Sequence, residues 1–192
     1  HALLTELCAL GRKLPGSPAE AAACDIITRE LADAGVVHQV HQFDAFIGWP
    51  TRSGVTLLAE ASREIQATGV GMVAGTPAKG IVAPLDEGTA VAGRIALIGG
   101  LPRYDAVMAA QRAGAVGVVA ISHGHERHYV QASPIWGAPT GAADVALLPQ
   151  IPVVQVSKED GALLRAPAGG EIRLVAEAPR EWRPVRMPDA EI

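Results

Sequence analysis

Residues 91–121, VAGRIALIGGLPRYDAVMAAQRAGAVGVVAI, constrain the fold of this chain more than any other stretch. Two short apolar runs, at 95–98 and 116–121, flank a segment whose apolar positions Val107, Met108, Ala110 and Ala113 fall at near-helical spacing. Pro102 and Asp105 open that helix and Gly114 closes it. Runs this apolar suit strands buried on both faces, and a parallel pair of strands needs a crossover of this kind. The unit holds no nucleophile, no acid–base pair and no phosphate loop, so it reads as scaffold.

Hydrophobic residues make up 49% of the 192 positions and charged residues 19%, enough for a packed core and too apolar for disorder. Aromatics are only 4%, so Ala, Val, Leu and Ile must fill that core. A net charge of −4 without any basic cluster gives no electrostatic footprint for nucleic acid. No apolar run approaches the roughly 20 residues that span a bilayer. The sequence opens at His1 without methionine or signal peptide, so it is read as a processed or cropped piece, and it leaves the compartment undetermined. Cys8 and Cys24 sit among apolar residues of predicted helices and are expected as buried free thiols, with a bridge between the two helices as the alternative.

Leu3, Leu7, Leu10 and Leu14 predict one amphipathic helix stopping near Pro15–Gly16. Ser17, Pro18 and Glu20 form a capping box for a second helix, which presents Cys24, Ile27, Leu31 and Ala34 on one face and ends at Gly35. Residues 36–44 read as a strand. From 54 onward, seven short runs punctuated by Gly and Pro (GVTLLAE, EIQATGVGMVA, GIVAPL, RIALIGG, VGVVAIS, IPVVQVS and EIRLVAEA) predict an α+β fold. Its expected form is an open β-barrel or sandwich of about seven strands with flanking helices, preceded by two N-terminal helices. A short helix is expected at 157–165, capped by Ser157. Residues 122–150 form a long loop, and loops of that length are usually functional or mobile.

Within that loop, His123, His125 and His128 are candidate ligands for zinc or another borderline metal, with Glu126 as a candidate base. The spacing matches no HExxH helix, and a solvated, flexible loop is the plainer expectation. His38 and His41 lie three apart in a strand and point to opposite faces, so they cannot chelate together. No serine occupies a Gly-x-Ser-x-Gly elbow, and the glycine pairs 99–100 and 169–170 lack the residues of a nucleotide loop. Tyr129 and Trp136 are candidates for facing a substrate or partner. The plainer alternative for Trp136 is packing beneath its own 137–139 turn.

Four segments carry a family resemblance: GRIALIGG at 93–100, the AGAVGVV helix exit, SPIWGAPTG at 133–141 and, most distinctively, the Leu-Pro-x-Ile-Pro-Val-Val run at 148–154. They resemble the protease-associated (PA) domain inserted in zinc exopeptidases of metallopeptidase family 28, which also includes transferrin-receptor relatives. GRKLPGSPAEAAACDIITRELADAGV at 11–36 resembles the segment that opens those enzymes. The resemblance implies a division into 1–50 (an N-terminal helical segment of the peptidase domain), 51–180 (the PA domain) and 181–192 (the return toward a catalytic domain). It also implies two zinc ions in the parent enzyme, a peptide substrate there, and a secreted or periplasmic setting common in the family.

The zinc-binding pattern of that family is missing from this sequence. No histidine is followed two residues later by aspartate, no Glu-Glu pair occurs, and the chain has no asparagine. The sequence therefore offers no catalytic residues and no cofactor of its own. It is expected to act as a lid, a cleft-shaping element or an interaction module beside the catalytic domain of the same polypeptide. A receptor-like or assembly module is the alternative, and a small metalloenzyme built on the histidine loop a third. The apolar stripes of residues 1–35, if they normally pack on a catalytic domain, predict self-association of this piece.

Overall fold

The computed structural model describes residues 1–87, 91–165 and 170–191. From the N-terminus run helices α1 (Ala2–Ala9) and α2 (Pro18–Asp33) and strand β1 (His38–Ile47). Strands β2 (Arg52–Leu57), β3 (Arg63–Ile65), β4 (Thr68–Gly69) and β5 (Ile81–Asp86) follow. Next come β6 (Ile95–Gly99), α3 (Tyr104–Arg112), β7 (Gly117–Ile121), α4 (Ala142–Ala146) and β8 (Val153–Val156). Helix α5 (Lys158–Arg165) and strands β9 (Glu171–Glu177) and β10 (Glu181–Ala190) complete the order. The chain divides into two units. The first holds His1–Ile47, Ala138–Thr140 and the residues from Glu181 onward; the second holds Gly48–Gly137 and Gly141–Arg180. Among the described residues no helix is long and apolar enough to cross a membrane.

The second unit carries the α+β fold that the strand runs predict. Its eight strands lie in the order β3-β2-β9-β5-β6-β7-β8-β4, with β5 to β8 parallel and the rest antiparallel. In the parallel half, Ile95, Leu97, Val119, Ile121 and Val154 face one core with Ile172, Leu174 and the α5 residue Leu164. The alternating Ala96, Val118 and Val153 face a second core beneath Val107 and Ala110 of α3. Both faces are covered, which is why these runs carry no polar alternation. Strand β9 does alternate: Ile172, Leu174 and Ala176 are buried between exposed Glu171 and Arg173. That face of the sheet meets solvent.

One expected strand run, EIQATGVGMVA, breaks into β3 and β4, giving eight strands in the sheet rather than about seven. Ser53 of β2 holds the break. Its Oγ donates to the Ala67 carbonyl at 2.9 Å and accepts the Gly69 N–H at 3.0 Å. The curled sheet thus brings β4, at one edge, to β2, near the other. A side chain spans the seam and no ladder joins the two strands among the described residues, so the barrel stays open.

The helix signals act locally. Gly114 takes φ +85 and the Ala115 N–H reaches back to the Ala110 carbonyl at 3.0 Å, a Schellman closure of α3. Ser157 Oγ accepts the Asp160 N–H at 3.1 Å and caps α5. Gly161 lets α5 lie against β7, because a Cβ there would come within 2.4 Å of Ile121.

In the first unit, α2 begins as expected, with Ser17 Oγ accepting the Glu20 N–H at 3.2 Å and Pro18 at the first position. The reciprocal half of the capping box does not form. Glu20 instead accepts the Arg186 N–H of β10 at 3.2 Å, and Arg186 Nη1 also reaches Asp25 at 2.6 Å. These bonds fasten α2 to β10. Accordingly the buried positions of α2 are Ala23, Cys24 and Ile26, while Ile27 of the expected stripe is exposed. Helix α1 is shorter than its leucine spacing predicts. It ends at Ala9 because Gly11 turns left-handed (φ +68), and Lys13 Nζ then takes the Leu7 carbonyl at 2.9 Å. No residue of α1 is buried, so Cys8 is exposed; only Cys24 matches the buried free thiol expected of both.

Strands β1 and β10 pair antiparallel along all their length, from His38 opposite Ala190 to Ile47 opposite Glu181. Phe46 and Trp182 meet edge-on at 5.5 Å where the ribbon opens toward the second unit's sequence. His38 and His41 lie on this ribbon apart from one another's partners: His38 Nδ1 bonds the Val36 carbonyl, and His41 stands 3.7 Å from Asp189.

Candidate functional site

The parallel strands β6 and β7 both end at a cleft of about 430 Å³. Gly100 and Leu101 line it after β6; Ser122 and His123 line it after β7. His128, Tyr129 and Val130 form the opposite wall. Open α/β sheets bind ligands outside the carboxyl ends of their strands, which makes this the natural place to look. Gly100 is required there. It adopts φ +85, gives its N–H to the Ile121 carbonyl at 2.7 Å, and leaves His123 Nε2 3.1 Å from where a Cβ would sit.

The loop that supplies the far wall is anchored at several points. The Gly124 carbonyl accepts the Lys158 N–H at 3.0 Å. The His128 N–H donates to the Oε1 of Gln155, a fully buried side chain of β8. Tyr129 stacks on Trp49 with ring centroids 5.3 Å apart and planes 20° apart. The Val130 carbonyl accepts the Gly71 N–H at 2.8 Å, and the Ala132 N–H returns to the Gly71 carbonyl at 3.1 Å. Backbone ties at 124, 128, 130 and 132 anchor this segment to β4, β8 and α5 and the residues beside them.

The three histidines therefore separate. His123 and His128 share the cleft, while His125 turns away and pairs with Glu159 at 3.0 Å. Glu159's own backbone N–H, with His125 second, lowers its carboxyl below the usual range. Among the described residues no group of three or more side chains could hold a metal ion. Tyr129 remains partly exposed beside the cleft. Trp136 does not pack beneath its own turn: it is 103% exposed, and Gly137 turns away at φ +89.

Sequence reasoning missed Gln155, Trp49 and Gly71, which position the loop. Gln155 had a signal. It is the one polar residue in the IPVVQV run, where a strand buried on both faces forces a glutamine to find a partner. Its Nε2 has none among the described residues. The glycine pair at 169–170 has only Gly170 within them, and Ile192 also lies outside.

Fold and cleft together define a class: an α+β module whose open, curled sheet serves as a frame for loops. The chain belongs to the PA domain family, whose family model matches residues 56–164, more than half its length. No curated protein matches the sequence. Among solved structures, the fold is similar to BSAP, a zinc aminopeptidase from Bacillus subtilis (TM-score 0.74, 21% identity), covering 98% of this chain and 45% of that one. An aminopeptidase from Aneurinibacillus sp. strain AM-1 is similar at TM-score 0.64 and 17% identity, over 98% and 46% of the two chains. A peptidase M28 precursor from Shewanella amazonensis SB2B gives 0.63 and 18%, over 98% and 48%. The chain thus spans less than half the length of each.

Proposed function

We propose that this chain is the opening segment and PA insertion of a zinc-dependent aminopeptidase, with the second unit shaping access to a peptide-binding cleft on the catalytic domain. The observation that carries the reading is topological. Strand β1 enters the second unit, β10 leaves it, and the two pair along their whole length, the arrangement of a domain inserted into a host. The likeness to the aminopeptidases covers 98% of this chain, both units included, which supports a host of that kind.

The ribbon's chemistry points the same way. A two-stranded ribbon is marginal on its own, and both of its outer edges lack a strand neighbour among the described residues. A host sheet would continue it. In that reading the zinc ions belong to the host, Trp136 and Tyr129 face the peptide or the cleft wall, and residues 1–35 pack on the catalytic domain. A bare tryptophan offers a large contact area at low entropic cost. The same exposure of Trp136 supports the second reading, a receptor-like module using the fold for protein contact alone.

The complete gene product separates the two. Zinc-dependent release of amino-terminal residues, with Trp136→Ala raising KM several-fold for long peptides while leaving aminoacyl nitroanilides unchanged, is the expected result. A full-length protein without zinc ligands beyond residue 192 and without turnover would establish the receptor-like reading instead. Residues 1–192 alone are expected to show no turnover.

A further inference from the structure

The geometry points to a ligand site within the second unit itself, in the cleft at the ends of β6 and β7, for a small carboxylate carried on an apolar body. The inference concerns this cleft alone and stands apart from the aminopeptidase reading.

The polar side of the cleft is a set of donors. His123 and His128 both line it, and neither ring has a hydrogen-bond partner among the described residues. A neutral imidazole offers one N–H and a protonated one offers two. Ser122 is buried, and its Oγ accepts the Gly124 N–H at 3.4 Å, which leaves the hydroxyl proton free to donate. Carboxylates are absent from the lining: Glu159 of α5 is paired with His125, which lies outside the cleft. Two solvent-exposed imidazoles and a hydroxyl can each turn a donor toward a space that no carboxylate lines, which fits a carboxylate, a strong acceptor for imidazole and hydroxyl groups. The rest of the wall is Leu101, Val130 and the ring of Tyr129, which fit an aliphatic or aromatic body.

The site is also pre-organised. Gln155 holds the backbone at His128, Gly71 holds it at Val130, and Trp49 backs the Tyr129 ring. A loop already ordered forfeits little entropy on binding. Gln155 and Gly71 are positioning residues; His123, His128 and Ser122 are the contacts.

The test is titration of the ¹⁵N-labelled 192-residue chain, followed by amide NMR. The probes are N-acetyl-leucine, its amide, acetate, a leucine-terminated tetrapeptide and zinc chloride alone. Saturable shifts confined to residues 100–101 and 122–130 are expected with N-acetyl-leucine, at least tenfold weaker with the amide and with acetate. Tighter binding of the tetrapeptide would assign the carboxylate to a peptide end; tighter binding of the free acid would assign it to a small metabolite. His123→Ala and His128→Ala should each weaken the acid at least tenfold. Gly100→Ala, whose Cβ would crowd the His123 ring, should do so with both histidines retained. Equal binding of acid and amide, unaltered binding in both histidine variants, or shifts that only zinc produces would overturn the proposal.

Discussion

The two units use the same residue types and reach very different degrees of closure. In the second, strands β5 to β8 are covered on both faces, and Ile95, Val119, Ile172 and Leu174 are fully buried. In the first, α1 buries nothing, Leu4 is 64% and Val37 81% exposed, and the sheet has only two strands. The difference teaches that the second unit carries a core covered on both faces of its sheet, whereas the first buries only a few apolar side chains, Ala23, Cys24, Ile26, Phe46, Ile47 and Val185 among them.

The largest effect is expected where the core is complete. Leu174→Ala should lower the stability of the second unit by about 2–5 kcal/mol, the cost of a buried leucine truncated in a site that cannot collapse. Denaturant melting followed by Trp49 fluorescence would show it; a loss under 1 kcal/mol would break the contrast. Gly161→Ala comes next. Overpacking against Ile121 costs about 1–3 kcal/mol, partly offset by the ~1 kcal/mol that alanine gains in a helix, for a net loss of up to about 2 kcal/mol.

In the first unit the expected change is in association rather than in the melt. Leu7→Glu or Leu31→Glu should reduce concentration-dependent self-association in analytical ultracentrifugation and leave the second unit's transition in place. A chain that is monomeric at high concentration would show that the first unit needs no cover. At exposed positions, Trp136→Ala, His123→Ala, His125→Ala and His128→Ala should each move stability by no more than about ±0.5 kcal/mol.

The smallest effect is electrostatic. Hydrogen bonding to Arg29, at 3.2 and 2.7 Å, holds the Glu6 carboxyl below its ordinary range. The folded group keeps its charge to lower pH than the unfolded one. The link between α1 and α2 is therefore intact above the ordinary carboxylate range and lost as pH falls through the lowered one. A carboxyl NMR titration should show Glu6 returning to its ordinary range in Arg29→Ala.

Much of this molecule was legible in the sequence where one physical cause acts locally. Apolar runs punctuated by glycine or proline located β5 to β9, and Ser17, Gly35, Gly114 and Ser157 located the ends of α2, α3 and α5. What periodicity could not show was competition. Gly11 ends α1 although leucines continue the stripe to Leu14, since the left-handed turn precludes another helical residue. Glu20 abandons its cap for β10, a partner 166 residues away. Of the cleft, the sequence showed His123, His128 and Tyr129 as candidates, together with His125, which lies outside it. The separation of the histidines depends on Gln155, Gly71 and Glu159, which the chain order scatters and the sheet gathers.

The pairing of Ile47 with Glu181 has a consequence for how this fold is reached and how it was assembled. Closing that ribbon across an unfolded segment of residues 48–180 would cost about 3–4 kcal/mol more in chain entropy than closing it across a two-residue turn. Once the second unit folds, its own structure limits how far its two ends can separate, and most of that penalty disappears. Folding is thus expected to run from the insert outward. The same geometry makes the insert a removable cassette: an Asn-Gly turn joining residues 47 and 181 would restore a plain hairpin. Relatives could gain or lose the whole module in one genetic step without disturbing the strands on either side.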